Sequence, residues 1–313
     1  MRATEILCIG EVLWDSLPTG LSLGGAPFNV ACHLRALGVP VGMVSRVGTD
    51  PLGDDALRGI ARHGIGTDLV QVDPALPTGF VKVNVDDPRN PTYEIVEPAA
   101  WDAIELTDAL LQHADAARIL VFGSLAQRHA ITRATIARLL DTSALKVFDV
   151  NLRAPHVDQE IVRRCLDKAD IVKLNHDELR QIATWFDLPA GLRGAASAMA
   201  EAFGCRMVCV TRGGDGAAMW HDGAWTEHPG FEVEVADTVG AGDAFLAAVL
   251  SGLLAGKDDR ALLEQANLLG AYVATQVGAV PTYHEDAIAR IAVRGGEPRA
   301  APASSPDRAP TGA

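Results

Sequence analysis

The stretch Asp237-Thr-Val-Gly-Ala-Gly-Asp-Ala-Phe245 decides the reading of this chain. Before it, Phe231 to Val235 alternates apolar and charged residues and predicts a strand. After it, Phe245-Leu-Ala-Ala-Val-Leu-Ser-Gly-Leu-Leu254 repeats its apolar residues at helical spacing. Gly240-Ala241-Gly242 is therefore expected at a strand-to-helix turn, with Asp243 at or just before the first helical turn. Two glycines let backbone N–H groups crowd around one point, and a helix N-terminus adds partial positive charge. The result is an anion hole with a carboxylate beside it. Moving a phosphoryl group onto a hydroxyl needs both parts: a place for the transferring charge and a base for the proton. The plainer reading of Asp243 is an N-cap. The glycine pair is no dinucleotide fingerprint, because Phe245 stands where a third glycine would be.

A second string lies near the other end of the chain: Leu23-Gly-Gly-Ala-Pro-Phe-Asn-Val-Ala-Cys-His-Leu-Arg-Ala-Leu-Gly38. Gly24 and Gly25 allow backbone angles closed to other residues, which suits a hinge or a close approach to ligand. Asn29 can offer a sugar hydroxyl one donor and one acceptor, or it can bond local backbone at a helix start. The two strings together resemble the N- and C-terminal signatures of the ribokinase-like (PfkB) carbohydrate kinases. The resemblance implies that Asp243 is the catalytic base and that Gly240, Ala241 and Gly242 form the hole. It also implies that Gly24, Gly25 and Asn29 hold the sugar.

Composition agrees with a soluble globular protein. The chain has 313 residues, 48% hydrophobic and 21% charged, enough for one large α/β domain or two ordinary ones. A net charge of −13 argues against nucleic acid or an anionic membrane as partner, though not against ATP. The five cysteines (Cys8, Cys32, Cys165, Cys205 and Cys209) are scattered without a second pair to complete a zinc site, which predicts reduced thiols in a cytoplasm. No apolar run is long enough for a membrane span, and the N-terminal one is too short for a signal peptide.

Short β-branched runs alternate with amphipathic helical stretches along most of the chain. That rhythm predicts a doubly wound, mainly parallel α/β sheet with helices on both faces, as one domain over residues 1–294. Residues 68–97 break the rhythm with several alternating runs, among them Thr78 to Val85 and Thr92 to Val96. With residues 11–18 they predict a small separate β-sheet. In the resembled family such a sheet forms a lid over the sugar and often a dimer surface, so a homodimer through the lid is an expectation. Residues 295–313 are Ala/Pro/Ser/Arg-rich without periodicity and predict a disordered tail.

No Walker loop and no protein-kinase catalytic loop is present, so Mg-ATP would have to bind around Gly240 to Asp243. The resemblance supplies further nucleotide-side residues. Asn175-His-Asp-Glu178 matches an Asn-x-x-Glu motif in which Glu178 organises magnesium through water, although the same spacing makes a capping box. Val210-Thr-Arg-Gly-Gly-Asp-Gly-Ala217 resembles the turn under the nucleotide, with Thr211 and Gly213 near phosphate or ribose and Gly216 shaping the turn. A structural hairpin would show the same glycines. Asn267 matches an Asn near the adenine, and Asp237 lies in the region that holds a monovalent cation such as potassium in some relatives.

For the acceptor, Gly10-Glu-Val-Leu-Trp-Asp15 resembles the fructokinase branch, and a carboxylate at Asp15 can accept two sugar hydroxyls. Asp149-Val-Asn-Leu-Arg-Ala-Pro155 is close to a string of fructokinases and 2-keto-3-deoxygluconate kinases, with Val150 where proline is usual. It places Arg153 near the phosphates or an acidic sugar. The expected substrate is fructose, then 2-keto-3-deoxygluconate, then ribose or a nucleoside. A non-catalytic sugar-binding regulator could share the scaffold, but it would be expected to lose Asp243 or a hole glycine.

Overall fold

The computed structural model describes residues 4–17, 20–84 and 92–294. The chain opens with β1 (Ile6–Ile9), then forms a hairpin of β2 (Leu13–Leu17) and β3 (Gly20–Gly24). Next come α1 (Ala26–Ala36), β4 (Val41–Gly48), α2 (Pro51–Arg62), β5 (Val70–Asp73), β6 (Gly79–Asn84) and β7 (Thr92–Ile95). From there strands and helices alternate: α3 (Asp108–Ala116), β8 (Ile119–Gly123), α4 (Ala130–Leu139), β9 (Leu145–Asp149), α5 (Gln159–Leu166), β10 (Ile171–Asn175), α6 (His176–Trp185), α7 (Leu192–Phe203) and β11 (Met207–Thr211). The hairpin β12 (Ala217–His221) and β13 (Ala224–His228) follows, and α8 (Ala241–Leu254), α9 (Asp259–Ala274) and α10 (Glu285–Arg294) close the fold.

Nine strands form one sheet in the order β13-β12-β11-β10-β9-β8-β1-β4-β5. It is parallel except for β12 and β13. Its central strands are apolar on both faces because helices cover both: Ile6 and Cys8 of β1 enter one core, with α1, α8 and α9, while Leu7 and Ile9 enter the other, with α4, α5 and α7. The chain runs outward through β4 and β5 on one side of β1 and through β8 to β11 on the other. The strand order therefore reverses between β1 and β8, and the crevice at their C-terminal ends is where such sheets take ligands.

The second sheet has the order β3-β2-β6-β7: β2, β6 and β7 come from the two expected regions, while β3 (Gly20–Gly24) lies beyond the first of them and outside the expectation. Two expectations fail locally. β5 lies inside the stretch assigned to the small sheet, yet it pairs with β4 in the large one, where Val70 is buried. Phe231 to Val235 forms no strand, since its residues are half-buried or exposed and no neighbour among the described residues pairs with them. The tail from residue 295 lies outside the described residues, as do residues 85–91 of the 68–97 stretch and residue 18 of the 11–18 region.

Candidate active site

The end of α1 that faces the crevice starts from Gly25, whose φ is 114°. A Cβ there would overlap the carbonyl oxygen of Glu11, so only glycine lets the turn press onto the end of β1. That contact swings Asn29, in the first helical turns, toward α8. Its Nδ2 donates to Asp243 Oδ2 at 2.8 Å across a sequence separation of 214 residues. The N-cap reading of Asp243 fails, because the N-cap of α8 is Gly240, in the left-handed region at φ 80°, and no side chain caps the helix. The Ala241 N–H donates back to Thr238 O at 3.3 Å, while those of Gly242 and Asp243 have no partner among the described residues, beside a carboxylate that is spoken for by α1.

The electrostatics set Asp243 apart from an ordinary surface carboxylate. Enclosure by protein is the largest influence and pushes its pKa up to about 6; Lys173 opposes, Asp149 adds to the rise, and Asn29 and Arg153 oppose it. Asp243 as a whole residue is nonetheless only half-buried, with Ala244 beyond it fully so. Lys173 was not anticipated. Its Nζ bonds Asp149 Oδ1 at 2.9 Å, with both side chains buried, and lies 3.1 Å from where a Cβ on Gly242 would be. Burial alone would favour the neutral amine, but Asp149, Asp243 and Glu178 outweigh it and raise the Lys173 pKa. A fixed positive charge therefore sits directly behind the glycine turn. The signal for it was a lysine inside the apolar run of β10, since a lysine in a buried strand needs a partner.

On the side of the small sheet, Asp15 projects from β2 with Oδ2 2.8 Å from the position a Gly24 Cβ would take. Burial raises its pKa to about 6, and Arg153 pulls it down. Glu11, 2% exposed at the end of β1, is raised by burial to about 7; Arg153 lowers it, while Asp243 and Asp149 raise it. Arg153, exposed at the mouth, is the guanidinium that these carboxylates share. Buried Oε2 of Glu11, Oδ1 of Asn29 and Oδ2 of Asp149 find no hydrogen-bond partner among the described residues. The crevice is thus rich in acceptors, as a polyol's hydroxyls require.

The remaining residues lie along the next strand ends. Asn175 and Glu178 make a full capping box: Asn175 Oδ1 accepts from the Glu178 N–H at 2.9 Å, and Glu178 Oε2 accepts from the Asn175 N–H at 2.8 Å. Glu178 Oε1 also accepts from Leu152 N at 2.8 Å, which ties the loop bearing Arg153 to α6. Thr211 pairs in register with Asn175, and Gly213 and Gly216 turn the chain from β11 into β12. Asn267, 8% exposed, gives its Nδ2 to Leu263 O one turn back in α9, so one of its amide N–H groups is used within the helix. Asp237 accepts Val239 N on one oxygen and Gly278 N on the other. Among the described residues no group of three or more His, Cys, Asp or Glu is placed to hold a metal. All five cysteines are free and buried, and no described helix is long and apolar enough to cross a membrane.

Residues 11–286 match the family described as pfkB family carbohydrate kinase. The chain belongs to that family. It is a carbohydrate kinase, and its mainly parallel sheet with a small second sheet is the ribokinase-like fold. It is 31% identical to a fructokinase of Klebsiella pneumoniae over 271 residues, covering 80% of this chain and 85% of that one. It is 30% identical to an ATP-dependent ribose-1-phosphate kinase of Halopiger xanaduensis over 309 residues, 91% and 97% of the two chains. An uncharacterized sugar kinase of Pyrococcus horikoshii, solved in complex with ATP, superposes with a TM-score of 0.76 at 27% identity, over 91% of this chain and 99% of that one.

Proposed function

We propose that this kinase transfers the γ-phosphoryl group of Mg-ATP to a primary hydroxyl of a small unphosphorylated ketose, fructose first. The observation that carries the reading is the Asn29–Asp243 bond at the uncapped start of α8. It holds a carboxylate of raised pKa where an incoming hydroxyl and a transferring phosphoryl group would meet. Asp243 takes the hydroxyl proton as the oxygen attacks phosphorus, and the N–H groups of Gly242 and Asp243 receive the charge on the equatorial oxygens, with Ala241 joining them if its bond to Thr238 O opens. Lys173 supports that charge from behind Gly242 and keeps Asp243 ionised. Asp15, Gly25 and Asn29 hold the sugar, while Asn175, Glu178, Thr211, Gly213 and Gly216 border the nucleotide. Asn267 and Asp237 act by bracing α9 and the 275–283 loop, and dependence on potassium is a matter for assay.

The charge balance favours a neutral sugar. Glu11, Asp15 and Asp243 surround the acceptor side, Asp149 and Lys173 offset each other as an ion pair, and Arg153 is the one further cation placed at its mouth among the described residues. A second phosphate would meet more repulsion than attraction there. Arg153 does support a second reading, 2-keto-3-deoxygluconate, whose single carboxylate it could pair. Exposed Leu21 on edge strand β3 supports a homodimer through the lid. The test is ADP release from Mg-ATP with fructose, 2-keto-3-deoxygluconate, ribose, ribose-1-phosphate and adenosine. Fructose should give the highest kcat/KM. Preference for ribose-1-phosphate would overturn the charge argument.

A further inference from the structure

α1 carries a second polar residue on the face of Asn29, one turn on, that the reaction as described leaves unused. His33 is 0% exposed. Its Nε2 lies 3.0 Å from the carbonyl oxygen of Ala279, and its Nδ1 lies 2.6 Å from the hydroxyl of Tyr283. A carbonyl can only accept, so Nε2 carries the proton; Nδ1 is then an acceptor, and the Tyr283 O–H donates to it. Both ring nitrogens are satisfied in one tautomer. Burial holds the His33 pKa down to about 4, with the Ala279 bond opposing and His63 adding to the fall, so the ring is neutral at any working pH. The Tyr283 ring lies nearly parallel to the imidazole, 5.8 Å between centroids and 9° between planes, as the hydroxyl-to-Nδ1 bond requires, and Tyr272 meets Tyr283 edge-on. Tyr272 in turn donates to Thr282 O at 2.7 Å.

The atom His33 holds is the one that shapes the anion hole. A Cβ on Gly240 would overlap the Ala279 carbonyl oxygen and crowd its carbon atoms, so Gly240 and Ala279 are in direct backbone contact. The other side of the same loop is held by Asp237, through Gly278 N. We propose that His33 is a positioning residue for phosphoryl transfer: through Ala279 and Tyr283 it locks the 275–283 loop to α1, holding the Gly240 turn in register with Asn29 and Asp243. His33 touches neither sugar nor nucleotide in this arrangement. Its effect belongs to the transition state, when the hole and the base must both be in place, rather than to sugar binding.

The inference rests on the reading of Asp243 and the Gly240 turn as catalytic, and the experiment separates the two. kcat and both KM values are measured with Mg-ATP and the best sugar of the panel for Tyr283→Phe, His33→Leu, His33→Gln and Asp243→Asn, beside melting curves. Tyr283→Phe keeps the ring and its packing but loses the bond to Nδ1 and should lower kcat about fivefold, and His33→Leu should lower it about tenfold or more. Sugar KM should stay within about twofold in both. His33→Gln keeps a donor and an acceptor and should recover most of the loss. Tyr283→Phe decides the matter should His33→Leu not fold. Wild-type kcat in these variants while Asp243→Asn is inactive, or a raised sugar KM at unchanged kcat, would overturn the positioning role alone. Activity in Asp243→Asn would overturn the underlying reading instead.

Discussion

At the residue scale the account turns on how one carboxylate is kept both basic and ionised. A proton acceptor works near its own pKa, and enclosure lifts Asp243 to about 6 while Lys173 limits the rise. The base must be ionised, so kcat/KM should fall as pH drops through about 6 and level off above it. A pH–rate profile checks this. Lys173→Gln keeps a donor for Asp149 but removes the charge that favours the Asp243 carboxylate. Its acidic limb should therefore move to higher pH, and an unmoved limb would show that Lys173 does not act on Asp243. Asp243 and its glycines could be read from the chain because they are adjacent in sequence. Lys173 and the Asn29–Asp243 bond could not, because strand register and helix packing assemble them from residues far apart.

At the scale of elements, helix starts carry the site. α8 begins at a glycine in the left-handed region, and α1 begins at Gly25 because a Cβ would strike Glu11 O. Gly25→Ala meets both an unfavourable φ and that overlap. It should cost about 1 kcal/mol or more in denaturant unfolding and raise the sugar KM with ATP KM little changed. The alternation of β-branched runs and amphipathic stretches sufficed for the parallel core, since each element there reports its own burial. It failed at Phe231 to Val235, where alternation had no partner strand to pair with, and at β5, where four residues gave no hint which sheet would accept them. The capping box at Asn175–Glu178 shows why motif and cap could not be told apart from spacing: the same two side chains cap α6 and tie down the loop that bears Arg153.

At the scale of the whole molecule, two polar contacts among the described residues help anchor the small sheet to the large domain. Trp14 of β2 donates from Nε1 to Leu52 O of α2 at 3.0 Å. Where the chain leaves β7, Arg128 makes 2.7 Å bonds to both oxygens of Asp102, with both side chains 4% exposed, and reaches Val96 O at 3.2 Å. Its guanidinium lies 4.0 Å over the Trp101 ring. Removing one member of such a pair strands the other charge out of water. Arg128→Ala should therefore lower unfolding free energy by about 3 kcal/mol, measured by denaturant midpoint and slope, and loosen the lid exit. A surface-like loss below about 1 kcal/mol would mean the pair is not the anchor.

The central claim, that Asp243 is the base of a sugar kinase, is tested most directly by kcat of Asp243→Asn with Mg-ATP and fructose. Calorimetry should show that the variant still binds both ligands. The account predicts a folded protein whose kcat falls by roughly two to four powers of ten with little change in either KM. A kcat within a few-fold of the unsubstituted protein would contradict it.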